Sequence, residues 1–484
     1  MKKIFTLTLA TVLSFSAYST HLMGGQVTAT YLSSDSIGSH YIVNLDAYRD
    51  TFGVSMSLIQ QLDIYELDSS FNYTFLFSQT ISFDTTSGTS MSSMSSVYGV
   101  EIYHFSDSIV LSDGNYVIKW SDCCRNGAII NMSAPLSESM TFATSLYVDA
   151  ANPNSTPTFL SDPVTYLPTN TFWQYNPLPF DPDGDSLVWS LSIPYSGGSS
   201  AIPDTVNGYE YLSDTLYSNS STPFSIDPIT GQVSWNAKLV GNFVVSFAIQ
   251  EFRNGVFIGA MNRDMQFVVI PDSTNAMPMI SNINNVPTNS MGYPYVKIMP
   301  GQSYQLHLLA SDADINDVVG MEAFGESFNQ TTSLSTFNVL PTGNGNEIEG
   351  TFSWTPSIDD VRSFPYLVVF RTSDNFYYFD ETIQFEVTNN ATSLESVDGM
   401  AFSNIYPNPT NNRVFIPVVL EESKKMSIEI YNVLGTKMSQ STINLGVGSH
   451  LIMKDFNLSS AQYIILIKDE NGMILNSQHL QTVK

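Results

Sequence analysis

The sequence contains little cysteine, little charge and few long apolar runs. Two cysteines in 484 residues cannot form a disulfide framework, so stability must come from apolar burial and hydrogen bonds, with bound metal as a further source. Charged residues make up 13% of the chain, against about 25% in typical globular proteins. Beyond the N-terminal segment, no apolar run reaches the roughly 18 residues that a membrane-spanning helix needs. The mature chain is therefore predicted to lack a transmembrane anchor.

Basic side chains are scarce as well. The chain has 18 lysine and arginine residues against 45 aspartate and glutamate residues, and its net charge at pH 7 is −27. Between Thr20 and Phe402 there are 9 basic and 39 acidic side chains, a net charge of −30. A surface of this sign repels phosphate backbones and anionic lipid head groups. It excludes nucleic acid as a partner and favours divalent cations.

The N-terminal segment has the pattern of a secretory signal. Lys2 and Lys3 precede an apolar stretch at residues 4–15, and the small residues Ala17 and Ser19 are spaced like a signal-peptidase site. This pattern predicts a signal peptide over residues 1–19, cleaved after Ser19. The protein is therefore predicted to be secreted or held at the outer-membrane cell surface, which it reaches via the periplasm.

Strand-length patterns run through the rest of the chain. Residues 41–48 alternate between two faces at the period of a strand, Asp113-Gly114 is a hairpin signal, and no 3.6-residue period continues beyond two turns. These patterns predict an all-β fold of tandem β-sandwich domains. The predicted division is an N-terminal β-sandwich at 20–152, two further sandwiches at 153–271 and 277–388, a linker at 389–402 and a small C-terminal sandwich at 403–484.

The second and third predicted sandwiches are one module written twice. Three landmarks follow in the same order in each copy: DPDGD at 181–185 and DADIND at 312–317, GQVSW at 231–235 and GTFSW at 350–354, and MQFVV at 265–269 and IQFEV at 383–387. A repeat of this size predicts stacked β modules. We call residues 153–271 the first copy and residues 277–388 the second copy.

Five motifs between Thr20 and Pro271 also occur in a characteristic order. They are HLMGG at 21–25, YRD at 48–50, CCRN at 123–126, DPDGDSLVWSL at 181–191 and QEFRNG at 250–255. In this order they are similar to the N-terminal region of large secreted bacterial repeat proteins and of adhesin-like chains associated with gliding surfaces. Each copy of the repeat resembles the cadherin-like or Ig-like modules of bacterial surface proteins.

The C-terminal 82 residues carry a second ordered set of signals. They are IYPNPTNNRVFI at 405–416, MSIEIYNVLGTKM at 426–438 and LSSAQYIILIKDENG at 458–472. Met426, Ile428 and Ile430 alternate with more polar residues at the period of a half-buried strand. The set resembles the type A C-terminal sorting domain of type IX secretion substrates. The resemblance implies that the type IX secretion machinery is a partner of this domain.

The acidic loops of the two copies suggest a metal site. Closely spaced carboxylates repel one another until a cation neutralises them, and calcium accepts six to eight oxygens in adaptable geometry. The predicted ligands are Asp181, Asp183 and Asp185 in the first copy and Asp312, Asp314 and Asp317 in the second. Aspartate, proline and glycine also form turns without any metal. Calcium is thus the candidate cofactor, and a turn without metal is the alternative.

Motifs for catalysis are almost absent. The six histidines are scattered without metal-ligand spacing, and no Gly-x-Ser-x-Gly motif occurs. A glycosidase pair, with carboxylates about 5 to 9 Å apart in the fold, is left open by the abundant carboxylates. Trp235 and Trp354 are predicted to pack in cores, and Trp173 is the freer candidate for stacking on a sugar. Cys123 and Cys124 are predicted to have no redox role, with a vicinal disulfide as the alternative.

Together these patterns predict a non-enzymatic secreted or cell-surface protein. Its β-sandwiches would act in adhesion or matrix interaction, with surface glycans or proteins as partners, and calcium would stiffen them. The alternative is a secreted polysaccharide-acting enzyme or a carbohydrate-binding accessory protein. In that case, the predicted N-terminal sandwich would hold the site.

Overall fold

The protein is described by a computed structural model over residues 22–482. The description has gaps at 52, 69, 71, 85–90, 93–98, 161–165, 272–274, 290, 330–332, 363, 375–376, 389–399, 403–404, 406–407, 409, 421, 433–435, 460, 471 and 473. The predicted signal peptide and most of the predicted linker lie outside the described residues. The described chain is all-β, which confirms the predicted fold class, and its helices are single 3-10 turns at Pro135–Ser137, Ile283–Asn285, Glu326–Phe328 and Ile358–Asp360. Within these ranges no helix has the length and apolarity needed to cross a membrane.

Eight strands come from the N-terminal segment. They are β1 (Leu22–Ser34), β2 (Ser39–Asp50), β3 (Ile59–Leu67), β4 (Tyr73–Phe83), β5 (Met91–Ser92), β6 (Val100–Leu111), β7 (Gly114–Asp122) and β8 (Met140–Val148). In β2 the predicted alternation is observed, because its inward residues Tyr41, Val43, Leu45 and Ala47 are fully buried. β7 begins at the glycine of the predicted Asp113-Gly114 turn.

Eleven strands come from the first copy. They are β9 (Thr158–Phe159), β10 (Tyr166–Pro168), β11 (Phe172–Tyr175), β12 (Pro179–Phe180), β13 (Ser186–Ser192), β14 (Tyr195–Ser196), β15 (Asp204–Thr205), β16 (Ser225–Ile226), β17 (Val233–Asn236), β18 (Gly241–Arg253) and β19 (Val256–Ile270). β18 and β19 form a long antiparallel hairpin. Its turn contains Asn254 and Gly255, both with positive φ, as a tight hairpin turn requires.

Strand pairing crosses the predicted boundary at residue 152. β19 pairs with β1 through Gly25 and Asp264 and with β8 through residues 259–261. The pairing β19-β1-β2-β6-β4-β3-β7-β8 therefore returns to β19 and forms a ring of eight strands. A Cβ at Gly24 would lie 2.1 Å from the carbonyl oxygen of Asp264, so the HLMGG motif permits this close strand approach. The N-terminal segment is thus completed by a strand from the first copy.

The second copy repeats the strand arrangement of the first. Its strands are β20 (Met279–Ile280), β21 (Tyr295–Ile298), β22 (Tyr304–Ser311), β23 (Gly320–Gly325), β24 (Thr336–Pro341), β25 (Glu347–Trp354), β26 (Tyr366–Ser373) and β27 (Tyr378–Val387). In one sheet β21 runs parallel to β27, as β10 runs parallel to β19. In the other, Trp354 pairs with Tyr304 and Trp235 pairs with Trp173. The internal repeat predicted from the landmarks is therefore present in the fold.

The described residues form four large apolar cores. One lies within residues 22–148, one within 280–387 and one within 400–480. The remaining core lies mainly in the first copy but also includes Tyr377 and Phe379 of the second copy. The two copies therefore share apolar packing at their junction.

The C-terminal domain is a small two-sheet sandwich. Its strands are β28 (Met400–Phe402), β29 (Arg413–Leu420), β30 (Lys424–Asn432), β31 (Lys437–Leu445), β32 (Gly448–Asp455), β33 (Ala461–Asp469) and β34 (Ile474–Thr482). One sheet has the order β28-β29-β32 and the other β31-β30-β33-β34. Met426, Ile428 and Ile430 are buried as the alternation predicts.

Glu429 is the buried acidic residue of this sandwich. Its carboxylate accepts hydrogen bonds from Lys468 Nζ at 2.6 Å, Lys437 Nζ at 3.0 Å and the Tyr431 hydroxyl at 2.6 Å. These bonds, above all the one from Lys468, hold the pKa of Glu429 at about 2, below its ordinary value of 4.5. The folded domain therefore binds this proton more weakly than the unfolded chain does.

Replacement of this carboxylate should remove a pH-dependent part of the domain's stability. Because the folded pKa is the lower one, the stabilisation is complete above about pH 4.5 and is lost as the pH falls toward 2. We expect Glu429→Gln to lower the free energy of unfolding at pH 7 by about 1.5 to 3 kcal/mol, with the difference narrowing in acid. Hydrogen exchange of the C-terminal strands, at pH 7 and in acid, measures this difference in the free energy of unfolding. The exposed Glu422→Gln is the control, and an equal loss at pH 7 and pH 2 would contradict the assignment.

Candidate metal centres

The acidic loop of the first copy joins β12 to β13. Asp181 Oδ1 accepts hydrogen bonds from the backbone N–H of Asp183 at 3.0 Å and of Asp185 at 2.9 Å. Gly184 has a φ of 77°, a left-handed conformation that favours glycine. One oxygen of Asp181 thus organises the loop, and the other is left for a different role.

The acidic loop of the second copy joins β22 to β23 with the same first contact. Asp312 Oδ1 accepts a hydrogen bond from the backbone N–H of Asp314 at 2.7 Å. The backbone N–H of Asp317 in turn donates to the carbonyl oxygen of Asp314 at 3.1 Å. Asp312 therefore takes the place that Asp181 has in the first copy.

The middle aspartate of each loop binds the chain that leads into its copy. Asp183 Oδ2 accepts from the backbone N–H of Ser155 at 2.5 Å, and Asp314 Oδ2 accepts from the backbone N–H of Ala276 at 2.7 Å. Both contacts tie the loop to the connection from the preceding segment. Each cluster therefore lies where one module follows another.

A third carboxylate, well downstream of the loop in the sequence, joins each cluster. In the first copy it is Glu251 in β18, opposite Leu187 of β13. One oxygen each of Asp181, Asp185 and Glu251 lie within 4.8 Å of one another. The QEFRNG motif contains Glu251, but nothing in the loop sequence signals this contact.

In the second copy the third carboxylate is Asp374, which directly follows β26. It groups with Asp312 and Asp317 within the same 4.8 Å. Its oxygens also accept hydrogen bonds from the backbone N–H of Tyr377 and from Asn275 Nδ2, both at 2.6 Å. Asp374 was not predicted from the sequence.

Buried oxygens without a hydrogen-bond partner lie in both clusters. Asp181 and Glu251 are 2% and 1% exposed, and Asp312 is 5% exposed. Among the described residues, Oδ2 of Asp181, Oε1 of Glu251 and Oδ2 of Asp312 have no hydrogen-bond partner. A buried carboxylate oxygen without a partner costs free energy, and the same unsatisfied atom at the same loop position in both copies is compatible with a cation site.

The electrostatics of the clusters agree with this interpretation. Burial, together with the neighbouring carboxylates, raises the pKa of Asp181 to about 7 and that of Glu251 to about 9. Burial and nearby aspartates also raise the pKa of Asp312 and of Asp317. Each cluster therefore resists holding all its negative charges at neutral pH without a counter-charge.

An arginine distinguishes the two clusters. Arg253 donates to both oxygens of Asp185, with Nε at 3.0 and 3.1 Å and a terminal nitrogen at 2.6 Å. It also donates to the Pro153 carbonyl at 2.9 Å and to Asn154 Oδ1 at 2.7 Å. Over the described ranges, no lysine or arginine lies within salt-bridge distance of Asp312, Asp314 or Asp317. The second cluster thus has no comparable counter-charge.

The spacing of the oxygens fits calcium. Calcium–oxygen distances are about 2.3 to 2.6 Å, so two oxygens on one ion are at most about 5 Å apart. Both groups meet this limit. Of the six predicted ligands, the structure groups Asp181 and Asp185 in one cluster and Asp312 and Asp317 in the other. Asp183 and Asp314 bind the incoming chain instead.

The tryptophans and the two cysteines lie at defined positions in the fold. All five tryptophans are at most 2% exposed, which confirms core packing for Trp235 and Trp354. Trp173 is 1% exposed and donates from Nε1 to the Tyr378 carbonyl at 3.0 Å, so the idea of Trp173 as a sugar platform was wrong. Cys123 and Cys124 are joined by a vicinal disulfide across a cis peptide bond, which was the alternative to two cysteines without a redox role.

Comparison with protein families identifies the C-terminal domain. Residues 404–478 match the secretion system C-terminal sorting domain, which confirms the resemblance seen in the tail. The chain is a type IX secretion substrate, and it is secreted or located at the outer-membrane cell surface. No curated protein sequence matches the chain.

Solved structures that resemble the chain do so weakly. Cadherin-like domains 1 to 4 of zebrafish RET share 10% identity over 89% of this chain and 94% of that one, with a TM-score of 0.15. The FN1–FN3 domains of chicken CNTN1 share 7% identity over 65% and 96%, with a TM-score of 0.15. The endo-fucoidan hydrolase MfFcnA4 of glycoside hydrolase family 107 shares 14% identity over 75% of this chain but only 44% of that one, with a TM-score of 0.16. Likeness at this level carries no argument about ligand or activity.

Proposed function

We propose that the chain is a non-enzymatic protein of the cell exterior that acts in adhesion or matrix contact and binds calcium where its modules join. The sorting domain supplies the export signal, and the stacked β modules supply an extended acidic surface. The surface charge favours partners that are neutral or cationic.

One observation carries the calcium part of the proposal. In both copies, the loop that supplies two carboxylates to a cluster also binds the chain entering the module, through Asp183 to Ser155 and Asp314 to Ala276. An ion held by such a loop would restrict the angle between consecutive modules. Rigid module junctions suit a protein that presents a binding surface at a distance from its attachment point.

Calcium would be held by the grouped carboxylates, among them the buried oxygens of Asp181, Glu251 and Asp312 that have no hydrogen-bond partner among the described residues. In the first copy the ligands would be Asp181, Asp185 and Glu251, and in the second Asp312, Asp317 and Asp374. The ion would supply positive charge that cancels the repulsion within each cluster. The second cluster should bind more tightly because Arg253 already neutralises part of the first.

Calcium should stabilise the whole chain measurably. At a free concentration 100 times the dissociation constant, a single site raises the free energy of unfolding by about 2.7 kcal/mol. We expect Asp312→Asn to lose most of this gain and Asp181→Asn to lose less, since the second cluster is the stronger site. Melting curves in chelator and in calcium, with calorimetric titration of the metal, measure both effects.

The matched control is Asp359→Asn, an exposed aspartate of the second copy outside both clusters. It should keep the full calcium response. Identical melting in chelator and calcium, together with no heat of calcium binding, would reject the metal part and leave the export and the fold untouched.

The alternative of a polysaccharide-acting enzyme loses one of its supports, because the buried tryptophans offer no stacking surface. A hydrolase screen on the exported chain is expected to show no turnover. Turnover of any polysaccharide that is abolished by changing a single carboxylate would contradict the non-enzymatic proposal.

A further inference from the structure

A cleft of about 340 Å³ lies at the junction of the two copies. One wall consists of first-copy residues from β11, β16, β17 and the turn at 227–230. The other consists of Tyr293, Pro294, Glu381 and Thr382 of the second copy. The volume is at the lower end of the range of about 300 to 1,000 Å³ for small-molecule sites, which often lie between domains.

Hydrogen bonds between the copies hold the walls of this cleft in place. The Tyr293 hydroxyl donates to Asp227 Oδ2 at 2.5 Å, and Gln232 Nε2 donates to the Asp380 carbonyl at 3.2 Å. Thr382 also donates from its hydroxyl to Gln232 Oε1. The cleft is therefore preformed, which lowers the ordering cost of binding.

Behind these contacts lies a buried ion pair that fixes the junction. Arg371 donates to both oxygens of Asp380 at 2.8 Å, and Asp380 Oδ2 also accepts from the backbone N–H of Asn176 at 2.9 Å. Asn176 Nδ2 further donates to Thr382 Oγ1 at 2.8 Å. The second-copy wall is thus anchored to the first copy on the side away from solvent.

The lining of the cleft is chemically mixed. It combines hydroxyls and amides, which donate and accept, with carboxylates and small apolar patches, and no lysine or arginine is among the described lining residues. The lining residues are Gln174, Ser225, Ile226, Asp227, Pro228, Thr230, Gln232, Ser234, Tyr293, Pro294, Glu381 and Thr382. Such a lining complements a sugar ring, because sugar hydroxyls pair with the polar groups and the C–H faces pack on the isoleucine and prolines.

Glu381 lines the cleft but takes no part in the hydrogen bonds that hold its walls in place. It is half-buried, and no hydrogen bond or salt bridge to it occurs among the described residues. Burial, and then the negative charge of Asp380, raises the pKa of Glu381 to about 7. By contrast, Asp227 is already engaged by Tyr293 and by the backbone N–H groups of Ile229 and Thr230. Glu381 is therefore the residue that a ligand would satisfy.

From these features we propose that the cleft between the two copies binds an uncharged carbohydrate segment, with Glu381 accepting hydrogen bonds from its hydroxyls and Gln174 assisting from the facing wall. Acidic sugars are disfavoured, since the cleft has carboxylates and no basic side chain and the whole chain is strongly negative. This site would supply a ligand for the proposed adhesive function, and its biological role rests on that function. Its residues are separate from those of both calcium clusters.

The test is a glycan array and calorimetry with the exported full chain, comparing neutral glucan, mannan and xylan oligosaccharides with uronate and sulfated ones. We expect binding of at least one neutral oligosaccharide and none of the acidic ones. Glu381→Met should weaken that binding at least tenfold, which corresponds to about 1.4 kcal/mol, without lowering the melting temperature, because it removes a half-buried carboxylate. Gln174→Met is the second cleft variant, and Glu349→Met, an exposed glutamate on the other sheet of the second copy, is the control.

Three outcomes would overturn the site. They are the absence of any neutral glycan binding, preferential binding of acidic glycans or basic peptides, and glycan binding that both cleft variants leave unchanged. A chain that still gains stability from calcium but binds no glycan would remove this site and leave the proposed scaffold role in place.

Discussion

Replacing Asp264 with alanine is expected to lower the free energy of unfolding by about 3 to 5 kcal/mol. Asp264 in β19 and Arg125 of the CCRN motif form a salt bridge at 2.6 Å, and both side chains are 0% exposed. Removal of the carboxylate leaves a guanidinium without its counter-charge inside the protein. Denaturant unfolding of the full chain, followed through the buried tryptophan fluorescence, measures the loss.

The size of this effect depends on burial, and an exposed pair supplies the control. Arg413 and Asp455 lie 2.5 Å apart with side chains 51% and 60% exposed, so Asp455→Ala should lower the free energy of unfolding far less than Asp264→Ala. The double change Arg125→Met with Asp264→Leu should regain most of the stability lost by Asp264→Ala, because it removes both buried charges. If Asp264→Ala costs no more than Asp455→Ala, the pair does not hold the N-terminal segment to the first copy.

The contact between Asp264 and Arg125 could not be predicted from the sequence. Strand alternation and turn residues are local signals, so β2, β30 and the repeated module could be predicted. The pairing of β19 with both β1 and β8 joins residues more than 100 positions apart. Such pairing leaves no periodic mark in the sequence, and a boundary at residue 152 therefore separated segments that share a ring of strands.

The residues of the metal clusters also divide into those that the sequence indicated and those that only the fold brings together. The loop aspartates were visible because they are close in sequence and alternate around turn residues. Glu251 and Asp374 come from strand ends more than 50 residues downstream of their loops, and only the fold brings them to the clusters. Conversely, the spacing of Asp183 and Asp314 suggested ligands, whereas each binds a backbone N–H of the incoming chain. Sequence spacing indicated the place of the site, and three-dimensional contacts distinguished its members.

Trp173 illustrates a related difficulty. Its position beside a proline-rich stretch favoured exposure, yet its indole stacks on Tyr175 with ring centroids 5.6 Å apart and meets Phe267 edge-on at 5.5 Å. The Tyr378 carbonyl that accepts its N–H belongs to the second copy. Its burial therefore depends on a neighbouring module, which no local pattern reports.

Deletion of residues 400–484 is expected to abolish export while leaving the cargo folded. The sorting domain has its own apolar core, whose members all lie between residues 400 and 480, so its removal leaves the three other large cores intact. The truncated chain should accumulate in the periplasm with the melting temperature and the calcium response of the cargo in the full chain. Cell fractionation with immunodetection, followed by melting of the periplasmic material, measures both results.

The reciprocal chain separates a sorting role from a general folding role. Residues 389–484 joined to an unrelated protein with a signal peptide should carry that protein to the cell surface or the medium, because the signal lies in the domain itself. The side chain of Ile430 in β30 is 0% exposed. Ile430→Asp should therefore unfold the domain and stop export of the same fusion. Surface delivery of the truncated cargo, or of the fusion that carries Ile430→Asp, would show that export does not depend on the folded sandwich.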